Sequence, residues 1–229
     1  MSRAQRPVGD EAADFGSLYP FLYSGESDLD RVLDEVRDST VQKVAEIISL
    51  REEIVRRDRV RFTACAEAMA RSFASGRKLF AFGNGGSSTD AQDVASLFLH
   101  PRWGTPLPAL CLTNDIAVVT ALSNDVGFDV VFARQLAALG RAGDIAVGLS
   151  TSGNSENLIR AFEEASRRGL LTVGLAGYDG GKMAEAGTID HLFVVGSASV
   201  HRIQEAQTTT YHVLWELVQR ALESLATTA

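Results

Sequence analysis

Asp144-Ile-Ala-Val-Gly-Leu-Ser-Thr-Ser-Gly-Asn-Ser155 joins a short apolar run to a cluster of hydroxyl, amide and glycine residues. The stretch Lys78-Leu-Phe-Ala-Phe-Gly-Asn-Gly-Gly-Ser-Ser-Thr89 has the same construction, and a helix-like pattern follows each one. Glycine lets the backbone approach a ligand, hydroxyls donate hydrogen bonds, and a helix N-terminus presents free N–H groups. The polar part of each stretch lacks Lys and Arg. The pattern therefore predicts two loops that bind an anion, most naturally a phosphorylated small molecule.

Apolar runs alternate with helix-like stretches along most of the chain. Strands that are apolar throughout are buried on both faces, and alternation with helices is typical of a parallel sheet. The sequence predicts a three-layer α/β/α sandwich with a five-stranded sheet. The predicted strands are 78–82, 109–112, 145–149, 171–175 and 192–195. The predicted helices are 90–99, 115–122, 128–139, 155–168, 181–186 and 203–225.

The N-terminal part of the chain follows a different pattern. Residues 1–26 are polar and irregular around an aromatic island at 15–23, which predicts an extension rather than a folded element. Apolar residues at three- and four-residue steps then predict a pair of helices, at 28–57 and 61–74. The length of 229 residues predicts a single domain, over 27–229, behind the extension.

Composition excludes several classes of partner. The net charge is −7 and no Lys/Arg block is present, which argues against direct binding of nucleic acid. No run approaches the roughly 18 apolar residues of a membrane span. Cys65 and Cys111 are the only cysteines and form no Cys-x-x-Cys pair, so we expect a reducing, cytoplasmic location.

Three further side chains are candidates for the same site. Asp115 follows the second predicted strand, from whose end its carboxylate would reach the loops. Gln204 and His212 lie eight residues apart on the last helix, about 80° apart around its axis, so both can face one cavity. A structural role for His212 is an equally open interpretation.

These residues together resemble the sugar isomerase (SIS) family, and within it the phosphoheptose isomerase group. The matching stretches are Gly83-Asn-Gly-Gly-Ser87, Asn124-Asp-Val-Gly-Phe128, Ser150-Thr-Ser-Gly-Asn-Ser155, Gly180-Gly-Lys-Met183 and Arg202-Ile-Gln-Glu205. The resemblance implies a flavodoxin-like fold, a homotetramer and a phosphorylated sugar as ligand. It also implies interconversion of sedoheptulose 7-phosphate and an aldoheptose 7-phosphate through an enediol. The candidate ligand-binding residues are Asn84, Gly85, Ser87, Asp115, Ser150, Thr151, Ser152, Ser155 and Gln204.

The chain departs from the family on the helix after the first loop. The isomerases carry a metal-binding His there and, four residues later, a Glu that is both ligand and general base. The two positions are Asp93 and Leu97 in this chain. Leucine cannot move a proton, and loss of a general base typically costs ~10²–10⁴ in rate. The resemblance leaves Asp93, Gln204 and His212 as candidate ligands of Zn²⁺ or another divalent cation, and Asp93, His201 and His212 as candidate catalytic residues.

Two functions from different classes remain open at this point. One is a phosphoheptose isomerase-like enzyme with an altered metal and base site. The other is a SIS-fold phosphosugar sensor or protein-interaction tetramer without turnover, resembling the replication-initiator-associated protein of bacteria, which also lacks the Glu. Loss of the Glu at Leu97 favours the second function. Retention of Gln204, His212 and the loop hydroxyls favours the first, and we expect an isomerase.

Overall fold

The first described element is one long helix. The computed structural model describes residues 29–228, so the predicted extension at 1–26 lies outside the described residues. Helix α1 spans Leu29–Ala74, and the prediction of two separate helices was wrong. No Gly or Pro interrupts this range. The predicted gap at 58–60 is helical, and the Asp58 carboxylate accepts hydrogen bonds from Arg57 and Arg61 there.

The chain divides into two units between Ala45 and Glu46, and the described part of the first unit is residues 29–45. The second unit contains a five-stranded parallel sheet in the order β2-β1-β3-β4-β5. The strands are β1 Leu79–Gly83, β2 Ala109–Cys111, β3 Ile145–Ser150, β4 Leu171–Gly177 and β5 His191–Val195. All five predicted strands are confirmed, each within two residues at either end.

Helices connect the strands in the predicted order. They are α2 Gly86–Leu99, α3 Ile116–Asp125, the 3₁₀ turn Phe128–Val130, α4 Val131–Leu139, α5 Glu156–Arg167, α6 Gly181–Glu185 and α7 Val200–Thr228. Helix α2 begins four residues earlier than predicted, because the glycine and hydroxyl residues of the first loop form its first turn.

Two apolar clusters cover the two faces of the sheet. Successive side chains of a strand point to opposite faces. Leu79 and Ala81 of β1 pack into a cluster with residues of α1, α2 and α7. Phe80 and Phe82 of the same strand pack into a second cluster with residues of α4 and α5. The three-layer α/β/α sandwich is therefore confirmed.

The strand order places the two polar loops side by side. β1 and β3 are neighbours, with Gly83 in register with Leu149, and the order of the chain reverses between them. Ligands of open α/β sheets bind outside the carboxyl ends of the strands at such a reversal.

Among the described residues, no helix is long and apolar enough to cross a membrane.

Candidate functional site

Three serine hydroxyls cluster in the loop after β3, residues 150–155, hereafter the hydroxyl loop. The Ser150 Oγ lies 3.5 Å from the Ser152 Oγ and 3.3 Å from the Ser155 Oγ. The Gly153 N–H donates to the Ser150 Oγ at 3.1 Å, and the Asn154 N–H donates to the Ser152 Oγ at 3.2 Å. Backbone amides therefore hold the hydroxyls together, with the half-buried Thr151 between them.

Helix α5 starts directly behind these hydroxyls. Ser155 is its N-cap residue, yet its side chain makes no capping bond and turns towards Ser150 instead. The first N–H groups of a helix have no partner within it, and the helix dipole favours negative charge there. Hydroxyls and helix N-terminus together form a site of the type that binds phosphate.

The stretch Gly180-Gly-Lys-Met183 holds the hydroxyl loop from one side. The Met183 N–H donates to the Gly153 carbonyl at 3.0 Å, and the Lys182 N–H donates to the Asn154 Oδ1 at 3.0 Å. A Cβ on Gly153 would collide with the Gly180 carbonyl, and the φ of +66° also favours glycine. This stretch of the family pattern therefore shapes the loop.

The first glycine loop brings the start of α2 against α7. Gly85, with φ +53°, is the N-cap of α2, and the buried Ser87 lies in its first turn. A Cβ on Gly86 would collide with the Gln204 side chain, so glycine at this position leaves room for the Gln204 carboxamide. Asn84 exchanges two hydrogen bonds of 2.9 Å with Asn157 of α5. Both ends of the Asn84 carboxamide thus bind protein, and its contact with a ligand stays a prediction.

A second polar cluster joins α2 and α7. The Tyr211 hydroxyl donates to the Asp93 Oδ2 at 2.6 Å, and the His212 Nε2 lies 3.6 Å from the same oxygen. The structure thus brings together two of the predicted catalytic residues. Tyr211 was missed by the sequence analysis. Burial, and then the hydrogen bond to Asp93, raise the pKa of Tyr211 above its ordinary value, so the phenol remains a donor at neutral pH.

Asp90 lies one turn before Asp93 and was also missed. Its Oδ2 accepts from the Gln204 Nε2 at 3.3 Å. Burial raises the pKa of Asp90 above its ordinary value, the Gln204 hydrogen bond opposes this, and the charge of Asp93 adds to it. The three-residue spacing from Asp93 was the available signal, since residues three apart share a helix face.

Gln207 of α7 is a third missed residue, and it lies beneath the hydroxyl loop. Its side chain is fully buried, and its Nε2 donates to the Ser150 carbonyl at 3.4 Å. Gln204 and Gln207 therefore connect α7 to the glycine loop and the hydroxyl loop, respectively. One helix thus supports both loops of the site.

Comparison with known proteins fits this geometry. Residues 43–177 match the SIS domain family. This chain belongs to the SIS domain family. It is 39% identical over 190 residues to a phosphoheptose isomerase of Thermodesulfovibrio yellowstonii, covering 82% of this chain and 94% of that one. It is 45% identical over 166 residues to that of Geobacter sulfurreducens, covering 71% and 86%.

Solved structures give the same result for this SIS domain. The phosphoheptose isomerase from Neisseria gonorrhoeae superimposes with a TM-score of 0.75 at 36% identity, covering 81% of this chain and 99% of that one. The phosphoheptose isomerase from Francisella tularensis superimposes with a TM-score of 0.70 at 31% identity, covering 85% and 100%. The relatives and these structures therefore identify the same group within the family.

This SIS domain offers few side chains that could bind the metal implied by the resemblance. Leu97, at the position of the family's Glu, is half-buried and packs against an apolar cluster. Within residues 29–228, no three His, Cys, Asp or Glu side chains are grouped to hold a metal ion. Asp93 and His212 form only a pair, and the Gln204 Nε2 donates to Asp90. These side chains fit a tightly held zinc poorly, because zinc normally takes three or four protein ligands. A divalent cation stays a prediction.

Two predicted residues lie apart from these clusters. The Asp115 Oδ1 accepts from the N–H groups of Ala117 and Val118 at 3.1 Å each, so its side chain caps α3. Asp115 also lines a cavity of about 1080 Å³ between α2, β2, α3 and α4, whose lining includes no residue of the hydroxyl loop. His201 is exposed in the first turn of α7. Ligand contact by Asp115 and a proton-carrying role for His201 stay predictions.

Proposed function

We propose that the protein is a sugar-phosphate isomerase that interconverts a ketose phosphate and an aldose phosphate, with a phosphorylated seven-carbon sugar as its substrate. The observation that carries the proposal is the cluster of Ser150, Ser152 and Ser155 hydroxyls at the start of α5. It lies in a chain about 40% identical to proteins named phosphoheptose isomerase.

The phosphate group would sit against the hydroxyl loop. Three hydroxyls and the first N–H groups of α5 offer a convergent set of donors, and hydrogen bonds to a charged acceptor are stronger than those to a neutral one. The loop itself contains no cation, so the binding depends on these donors and on the helix dipole. This arrangement selects a phosphate ester and leaves the sugar carbons to other side chains.

The sugar carbons would then meet the cluster of α2 and α7. Aldose–ketose isomerisation moves a proton between C1 and C2 through an enediol, which requires groups that accept and return protons. His212 and Asp93 offer an imidazole and a carboxylate in contact. Asp90 offers a second carboxylate one turn away. These groups stand in for the carboxylate that Leu97 lacks.

We propose a homotetramer as the assembly. Ile48, Val55 and Val60 of α1 expose 49%, 45% and 82% of their surface, which is typical of a helix with a further partner. Light scattering should give four times the chain mass of 24.6 kDa, whereas a monomer would contradict the proposal.

The free cysteines Cys65 and Cys111 support a cytoplasmic location.

Solvent deuterium tests the activity. Purified protein is incubated in D₂O with sedoheptulose 7-phosphate, with and without Zn²⁺, and deuterium at C2 of the aldose product is followed by NMR. We expect incorporation by the wild type and none by His212→Ala. Absence of incorporation from several ketose phosphates would rule out the isomerase. A thermal shift with the same sugars would then indicate a binding protein without turnover.

A further inference from the structure

Two consecutive residues of α7 meet the same carboxylate oxygen of α2. Tyr211 reaches the Asp93 Oδ2 from the core, since only 3% of its surface is exposed. His212 approaches that oxygen from the solvent side, with 47% of its side chain exposed. Their rings are stacked, with centroids 5.2 Å apart at 29°. Neighbours on a helix point about 100° apart, so their convergence requires a carboxylate placed between them.

The two contacts have different strengths. The phenol–carboxylate distance of 2.6 Å is that of a charge-assisted hydrogen bond, whereas 3.6 Å to His212 is an ion-pair distance. The phenol is therefore what fixes the carboxylate. The His212 imidazole can still move relative to Asp93, and long contacts of this kind in active sites commonly tighten when a ligand binds.

We propose that Tyr211 is a positioning residue, whose hydroxyl fixes the Asp93 carboxylate so that this carboxylate orients the His212 imidazole for proton transfer. The proposal rests on the isomerase function proposed above. Since the Nε2 is the ring nitrogen near Asp93, the Nδ1 is the one that would exchange a proton with the sugar. A base oriented by a third group is a recurring arrangement in enzymes.

The phenol also matters for any cation that Asp93 could bind. The Asp93 Oδ2 accepts the phenol proton, and a carboxylate held by such a hydrogen bond still has lone pairs for a further partner. Removing the phenol oxygen should therefore loosen the carboxylate and weaken the binding of a metal to it. This gives the proposal a consequence that does not depend on turnover.

Kinetics of Tyr211→Phe provide the first test. We expect kcat to fall about tenfold with KM unchanged, since one hydrogen bond to a charged group is lost while the phosphate contacts remain. The matched control is Thr209→Val, which removes a hydroxyl bonded to its own helix at the Glu205 carbonyl and should keep the wild-type kcat. Wild-type kcat in Tyr211→Phe, or a rise in KM alone, would overturn the proposal.

A double-mutant cycle tests whether Tyr211 acts through Asp93. If the phenol acts through Asp93, adding Tyr211→Phe to Asp93→Asn should lower kcat by less than twofold, because the charged acceptor is already gone. A merely structural role predicts that both losses multiply, and multiplied losses would contradict the proposal.

Zn²⁺ calorimetry provides the test that is independent of turnover. We expect Tyr211→Phe to bind Zn²⁺ about tenfold less tightly than the wild type, and to cause no further loss when it is combined with Asp93→Asn. Equal affinities in the wild type and Tyr211→Phe would overturn the proposed hold of the phenol on Asp93. A wild type without deuterium incorporation would remove the isomerase function, while this titration would still decide whether the phenol holds the Asp93 carboxylate.

Discussion

Ser152 is the single residue that best isolates phosphate binding from proton transfer. Its hydroxyl accepts from Asn154 and lies 3.5 Å from the Ser150 Oγ, within the cluster at the start of α5. We expect Ser152→Ala to raise KM about tenfold or more with little change in kcat, since a bond to a charged phosphate is worth roughly 1.5–3 kcal/mol. Steady-state kinetics check this. The control is Ser75→Ala, an exposed hydroxyl bonded to the Arg71 carbonyl, and a KM raised equally in both variants would contradict the assignment.

His191 at the start of β5 makes stability depend on pH. Burial lowers the pKa of His191 below its ordinary value of 6.5, the charge of Asp190 opposes this shift, and that of Arg61 adds to it. The unfolded chain therefore takes up the proton more readily, so stability is complete above pH 6.5 and is lost as pH falls towards the lowered pKa. We expect the Tm to drop less in His191→Gln than in the wild type on acidification. Parallel Tm curves for the two proteins would contradict this.

At the residue scale, the sequence could predict features that are formed by residues close together in the chain. The Ser150–Ser155 cluster was predictable because four hydroxyls fall within six residues after an apolar run. The partners of Tyr211 and Gln204 are Asp93 and Asp90, which lie 118 and 114 residues away. No local pattern indicates such pairs, because only the packing of α7 against α2 brings them together.

At the element scale, the long helix α1 was the main difference from expectation. The strands were predictable because most of their residues are apolar, with Ser150, Thr172 and His191 as the polar members, and they formed within two residues of the predicted ranges. Two helices were predicted, with a gap over residues 58–60, but Asp58 is only 4% exposed and pairs with Arg57 and Arg61 at 2.7 and 2.6 Å. Arg is a good helix former, and no Gly or Pro occurs in the range of α1, so the charged run is compatible with a continuous helix.

Removing this carboxylate should cost stability. We expect Asp58→Ala to lower the free energy of unfolding by about 1–2 kcal/mol, less than the roughly 3–5 kcal/mol of a fully buried pair, because the two arginines stay accessible to water. The exposed pair of Glu216 and Arg220 supplies the control, and Glu216→Ala should change stability by less than about 0.5 kcal/mol. Urea denaturation compares them, and equal losses would show that the burial of Asp58 is unimportant.

At the scale of the whole molecule, the central strand β3 connects the core to the site. It pairs with both β1 and β4, and it ends at Ser150 of the hydroxyl loop. Alternation of strands and helices predicted a parallel sheet. The order of its strands was implied only by the family resemblance. Apolar matching alone leaves the order open, because the five strands are all mainly apolar and none is marked by its composition as the central one.

Gly148 shows how tightly β3 is packed. A Cβ there would lie 2.5 Å from the Phe162 Cζ and 2.7 Å from the Phe82 Cε2, both within the apolar cluster on the α5 side of the sheet. We expect Gly148→Ala to lower the free energy of unfolding by about 1–3 kcal/mol through overpacking. Gly196→Ala is the matched control, since no atom lies within 4 Å of the added Cβ. Urea unfolding followed by far- and near-ultraviolet circular dichroism should give one shared midpoint for Gly148→Ala, lower than that of the control, because β3 belongs to a core that unfolds as a unit. Separate midpoints would contradict this, because they would show that secondary structure persists after the side-chain packing is lost.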